Sequence, residues 1–80
     1  MPYHNLEWFE YMNTESRLQE GISLHQEGKL DQAELIYQQI LQVNPENAEV
    51  LHLLGMIAYQ VEKYDLAVNL INQAIEIDNR

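Results

Sequence analysis

Residues Val50–Val61 read VLHLLGMIAYQV. Apolar side chains stand at Val50, Leu51, Leu53, Leu54, Met56, Ile57, Ala58, Tyr59 and Val61, leaving almost no polar face. A helix that is apolar nearly all round must be covered by neighbours on several sides. This segment therefore predicts a central helix, and the rest of the chain has to supply what sandwiches it. Nothing in the chain alternates with period two for long enough to suggest a strand, so the fold class is all-α.

Working outward, three more helices are legible. Thr14, or Ser16 with Gln19 three residues on, offers the cap of a first helix that continues to about Glu27, where Gly28 interrupts it. Asp31 is the expected cap of a second helix running to about Val43, ended by Pro45, whose ring disfavours the α conformation at Asn44. The central helix follows from about Asn47 to Val61, and Glu62 to Asp65 lead into a fourth from about Tyr64 to Ile77. Asp65 has the same expected capping role as Asp31. The first helix has only Leu18, Ile22 and Leu24 as large apolar residues and belongs at an end of the stack.

Offset by 34 residues, the chain repeats itself. Gly21 aligns with Gly55, Gln26 with Gln60, Lys29 with Lys63, Asp31 with Asp65, Ala33 with Ala67 and Gln39 with Gln73; Ile36 and Leu70, Leu41 and Ile75, and Val43 and Ile77 agree in character. The register never slips. Two antiparallel helical hairpins of one length are thus expected to stack as copies of one unit, residues 14–47 and 48–80, behind an aromatic-rich segment at residues 1–13.

This period and these residues resemble the tetratricopeptide repeat, a helix-turn-helix of 34 residues with the pattern W-x2-L-G-x2-Y, then A-x3-F, then P. In the second copy Leu54, Gly55 and Ala67 match, Leu51 falls at the Trp, Ala58 at the Tyr and Ile71 at the Phe; in the first, Gly21, Ala33 and Pro45 match, with Tyr37 at the Phe. Arg17, Glu20 and Leu24 depart from the pattern, and charge at Arg17 and Glu20 suits a first repeat with no predecessor. At the other end Asn79 replaces the Pro, and the fourth helix shows Leu66, Val68 and Ile75 on a side with nothing to cover it. The small residues explain the pattern physically. Gly and Ala let the two helices of a hairpin approach closely, and Tyr37 and Ile71 are expected to fill the seam further along.

Composition narrows the partners. Thirteen acidic against four basic residues give a net charge of −9, which repels the phosphates of nucleic acid and of anionic membrane. There is no cysteine, hence neither disulfide nor thiolate metal site. No apolar run approaches a membrane span and the start is no signal peptide, so the expected location is cytoplasmic. His4, His25 and His52 have no second ligand at helical spacing, and no nucleophile elbow or phosphate loop is present; no metal, cofactor or catalytic residue is expected.

The resemblance implies a concave groove, lined by the first helix of each repeat, that binds a peptide or protein segment. Carried onto this chain, it is lined by Leu18, Ile22 and His25 from the first helix and His52, Met56 and Tyr59 from the third, with Glu15, Gln26, Glu49 and Gln60 beside them. No Lys or Arg stands among them, so the chaperone-type carboxylate clamp is not expected, and Gln19 and Leu53 replace the Asn ladder of the O-GlcNAc transferases. What remains suits a ligand with an apolar or aromatic anchor and basic flanks. Two other functions stay open. Leu24–Gln60 is similar to the leading repeats of bacterial proteins that carry a glycosyltransferase domain further on, and a homo-oligomeric scaffold would join through Leu66, Val68 and Ile75. Leu6, Trp8, Phe9, Tyr11 and Met12 suit a short helix capped by Asn5 that lids the first repeat; the alternatives are a segment that occupies a neighbour's groove, packs in a dimer, or is a disordered leader.

Overall fold

The computed structural model describes the backbone of residues 2–78 and the side chains of residues 14–78. Four helices follow one another: α1 (Pro2–Gln26), α2 (Leu30–Val43), α3 (Ala48–Gln60) and α4 (Tyr64–Ile77). α1 packs on α2 and α3 on α4, and the two hairpins join through α2 and α3. The protein is an all-α stack of antiparallel hairpins, as the period predicts.

α1 differs from expectation at its start. It runs unbroken through Asn5, Thr14 and Ser16, so none of these caps a helix there. The chain has no Gly or Pro between Pro2 and Gly21 to stop it, and Pro at the head of a helix is pre-set for the first turn. The expected lid of aromatics from residues 1–13 concerns side chains outside those described.

The two intrahairpin turns share one geometry. At the end of α1, Gly28 N–H donates to His25 O at 3.0 Å and Lys29 N–H to Leu24 O at 2.9 Å; at the end of α3, Glu62 N–H donates to Tyr59 O at 3.0 Å and Lys63 N–H to Ala58 O at 2.8 Å. This pair of bonds is the Schellman motif, which needs a left-handed residue after the helix. Gly28 takes φ +82° without a Cβ to object, whereas its counterpart Glu62 is held at φ +67°. Lys29 and Lys63, not the aspartates, occupy the cap positions of α2 and α4, with no side-chain cap bond. Asp31 and Asp65 fall in the first turn instead, since the Schellman turn delivers the chain directly into the next helix; there they oppose the positive end of the helix dipole.

The turn between hairpins is built by Asn44-Pro45-Glu46-Asn47. Asn44 Oδ1 accepts from Glu46 N–H at 3.3 Å, Asn44 O accepts from Asn47 N–H at 3.2 Å, and Asn47 Oδ1 caps α3 by accepting from Val50 N–H at 3.1 Å. Two Asn side chains thus satisfy donors that would otherwise face the hairpin junction unpaired.

The core is continuous across the stack. Leu18, Ala33, Ile36, Tyr37, Ile40, Val50, Leu54 and Ile57 form its centre, with Ile22, Leu24, Leu30, Leu41, Leu53 and Leu70 packed around them. α3 buries Val50, Leu51, Leu54, Gly55, Ile57 and Ala58, the central role its composition dictates. The hairpin crossings pass over the glycines. A Cβ on Gly21 would lie 2.7 Å from the Tyr37 ring, and one on Gly55 2.6 Å from Ile71 Cγ1. Tyr37 and Ile71 therefore seat directly on the glycines; they do not fill the seam a turn further along.

Two outcomes follow in chemical denaturation. Glu62→Gly relieves the left-handed strain and raises stability by about 0.5–1 kcal/mol, while Gly28→Ala introduces that strain and lowers it by about 1 kcal/mol. Gly21→Ala forces a side chain against the fully buried Tyr37 ring and, after the helix-propensity gain of Ala, lowers stability by about 1–2 kcal/mol. Gly55→Ala meets a comparable obstacle at Ile71 Cγ1, on a β-branched side chain with little χ1 freedom in a helix, and lowers stability by a similar amount.

Candidate functional site

α3 has one face that the core does not use. Its buried residues share one side of the helix, and Glu49, His52, Met56, Tyr59 and Gln60 emerge on the other. Met56 is 42% and Tyr59 64% exposed, unusual for large apolar side chains on the most buried helix of the fold. Beside this row runs the matching face of α1, where Glu15 and Gln26 are exposed and Ile22 and His25 half-buried.

Of the six residues expected to line a groove, the structure leaves five with open surface. Leu18 is 6% exposed and belongs to the core, because the close approach of the hairpins carries it in among Ile36, Tyr37 and Val50. Ile22 also packs against the core while keeping an edge in solvent. His25 Nε2–H donates to Gln60 Oε1 at 2.7 Å, which ties α1 to α3. The His25 ring also meets the Tyr37 ring edge-on, centroids 6.3 Å apart. Tyr59 pairs with Tyr64, at 5.4 Å and an interplanar angle of 62°. That partner was missed in the sequence because Tyr64 opens the fourth helix, outside the helices expected to line the groove.

Electrostatically the face is acidic to neutral. Glu15 and Glu49 are exposed along it and no Lys or Arg stands among its residues. No group of three or more His, Asp or Glu among the described residues has the arrangement of a metal site. Among the described residues, one phenol is perturbed beneath the face. Tyr37, with no exposed surface, has its phenol pushed above the usual range, first by burial and then by the charge of Glu49. Its hydroxyl has no hydrogen-bond partner among the described residues. On the opposite side, a cavity of about 150 Å³ separates α2 from α4, bounded by Glu34, Gln38, Leu54, Val61, Leu66 and Leu70. It is a packing gap between hairpins, too small for a peptide.

Stacked helical hairpins with an open face along their first helices define a helical-repeat protein. The tetratricopeptide repeat profile matches residues 24–80, and the chain belongs to that family. Repeats of this family are protein-interaction modules. The match begins in the last turn of α1, beyond the departures at Arg17 and Glu20. A search of curated proteins returns no match. No helix among the described residues is long and apolar enough to cross a membrane.

Tyr37 yields a pH prediction. The unfolded phenol ionises near 10.0 and the folded one above it. Stability from keeping the phenol neutral is therefore complete below that value and is lost as pH rises through the higher folded value. Tyr37→Phe should flatten this alkaline loss in urea titrations repeated across pH. At neutral pH the same change leaves stability unaltered or raises it by up to about 1 kcal/mol, since it deletes a buried hydroxyl without a partner.

Proposed function

We propose that the chain binds a peptide or an extended protein segment along the face shared by α1 and α3, with Met56 and Tyr59 as the contact for an apolar or aromatic anchor. The observation that carries this is the exposed row His52, Met56 and Tyr59 on a helix whose other face forms the core. Solvent exposure of two large apolar side chains there has no structural benefit, whereas a ligand removes them from water. Met56 is unbranched and polarizable and suits more than one anchor shape. Tyr59, held edge-on by Tyr64, is a pre-oriented aromatic surface whose ordering cost is already met in the fold.

The polar surroundings refine the ligand. Glu15 and Glu49 favour Lys or Arg flanking the anchor, and Gln26 offers amide groups to a peptide backbone. Gln60 is engaged with His25 through its oxygen, so a ligand that bonds that oxygen must displace the contact. The role is binding, without a catalytic step.

Selection from a displayed random-peptide library tests this. Peptides with an aromatic or long apolar anchor flanked by basic residues are expected, their amide-shift footprint centred on His52, Met56 and Tyr59. Met56→Glu and Tyr59→Ala each weaken binding about tenfold, the effect of losing one central contact. Footprints confined to α2 and α4, or affinity indifferent to both changes, overturn the assignment.

A further inference from the structure

The Gln60 carboxamide is held in one orientation. Its Oε1 lies 2.7 Å from His25 Nε2. Two acceptors cannot bond to each other, so the ring nitrogen carries a hydrogen and the amide oxygen receives it. That nitrogen carries its hydrogen in one neutral tautomer and in the imidazolium alike, so the bond survives protonation of the ring. His25 is itself constrained: its ring meets edge-on the ring of Tyr37, which has no exposed surface and lies against Gly21. The oxygen of Gln60 is thus committed to α1, and the amide nitrogen, on the other branch of the same carbon, keeps both hydrogens. Gln60 is exposed, and no bond from that nitrogen occurs among the described residues. Gln26, its counterpart one repeat earlier, has no such bond among them to fix its amide.

We propose that the Gln60 amide nitrogen donates to a main-chain carbonyl of an extended ligand, and that His25 is the residue that positions it. This rests on the binding face proposed above and adds the group that fixes the ligand's register on it. Gln60 lies four residues after Met56, hence on the same side of α3 and one turn, about 5.4 Å, further along. An extended chain advances about 3.3 Å per residue. The bonded carbonyl therefore belongs to a residue one or two positions from the one whose side chain contacts Met56. Charge selects the acceptor. Glu15 and Glu49 are exposed along this face, and exposed Glu62 follows two residues after Gln60. A ligand carboxylate is repelled there, whereas a peptide carbonyl is neutral and recurs at every residue of the ligand. Holding the amide before the ligand arrives also lessens the side-chain entropy that the new bond has to offset.

The test uses the full chain, a peptide selected on it from the random library, and copies of that peptide in which one carbonyl at a time becomes a thiocarbonyl. Sulfur is the weaker acceptor, and the neighbouring N–H is kept. Replacement at one position is expected to weaken binding by about threefold to tenfold, the worth of one hydrogen bond. Gln60→Glu preserves an oxygen toward His25 and removes the amide hydrogens. It weakens the parent peptide by a similar factor, although its added charge tightens a basic peptide if the amide nitrogen has no role. In that variant the sensitive position becomes indifferent to sulfur, the coupling that marks a direct contact. His25→Phe keeps a ring against Tyr37 but frees Gln60; it weakens binding and makes the Gln60 side-chain amide mobile in nitrogen relaxation. Unaltered circular dichroism shows that the variants fold. Binding unchanged or tightened by Gln60→Glu, or a sulfur effect that persists in it, overturns the inference, while loss of binding with Met56→Glu and Tyr59→Ala leaves the groove reading standing. An equally ordered Gln60 amide in His25→Phe overturns the positioning role. Indifference to all of these substitutions overturns the inference and the groove reading together.

Discussion

The closeness with which α1 crosses α2 and α3 crosses α4 governs the rest of this structure. It is set by two missing β-carbons. Tyr37 lies on Gly21 and Ile71 on Gly55 at distances no side chain at the glycines would allow. Because the crossing is tight, Ala33 and Ala67 can be buried at the seam with almost no side chain to contribute, and backbone contact replaces side-chain bulk. A small chain buries only about 60% of the surface it exposes when unfolded, so it cannot tolerate voids at its few interfaces. The larger buried residues, Leu18, Ile36, Tyr37, Ile40, Val50, Leu54 and Ile57, then form one cluster across the boundary between hairpins.

That boundary makes the two repeats unequal despite their shared pattern. α2 buries Ala33, Ile36, Tyr37 and Ile40, but α4 buries only Ala67 and Ala74. Ile36 and Leu70 occupy equivalent positions, as do Tyr37 and Ile71, yet the second of each pair keeps solvent contact. The difference is not propensity or composition. α2 has a helix on both flanks and α4 on one, so equal sequence earns unequal burial, as expected where stability is a sum over neighbours in a stack.

Much of the fold was legible in the residues because its signals were redundant. The 34-residue register, the apolar surround of α3 and the break at Pro45 all pointed to the same four helices, and the fourth has the expected bounds, Tyr64–Ile77. Details decided by three-dimensional closure were not legible. Asp31 looks like a cap because its chemistry suits one, but the Schellman turn places Lys29 there and draws the aspartate into the first turn. Leu18 has the helical phase of an open face, and only the depth of the neighbouring hairpin takes it inside. The row His52, Met56 and Tyr59 was reached through the resemblance to the family, whose first helices line the groove; its aromatic partner Tyr64 was not, since contact across a turn leaves no period in the sequence.

The distribution of charge bears on the apolar groups left at the surface. Among the described residues no charged side chain is buried, so their share of the net charge of −9 is carried at the surface. The ion pair of Lys29 with Glu27, at 3.5 Å, is exposed and contributes little to stability. An excess of acid that does not hold the fold together still acts at a distance. It accelerates encounter with basic ligands, and it discourages nonspecific contact everywhere except where apolar residues interrupt it. Met56 with Tyr59, and Val68 with Ile75, are two such interruptions, on α3 and α4 respectively. Selectivity at such a surface depends as much on the carboxylates around it as on its own shape, and under the proposed binding mode salt is expected to weaken the attraction of a basic ligand to Met56 and Tyr59.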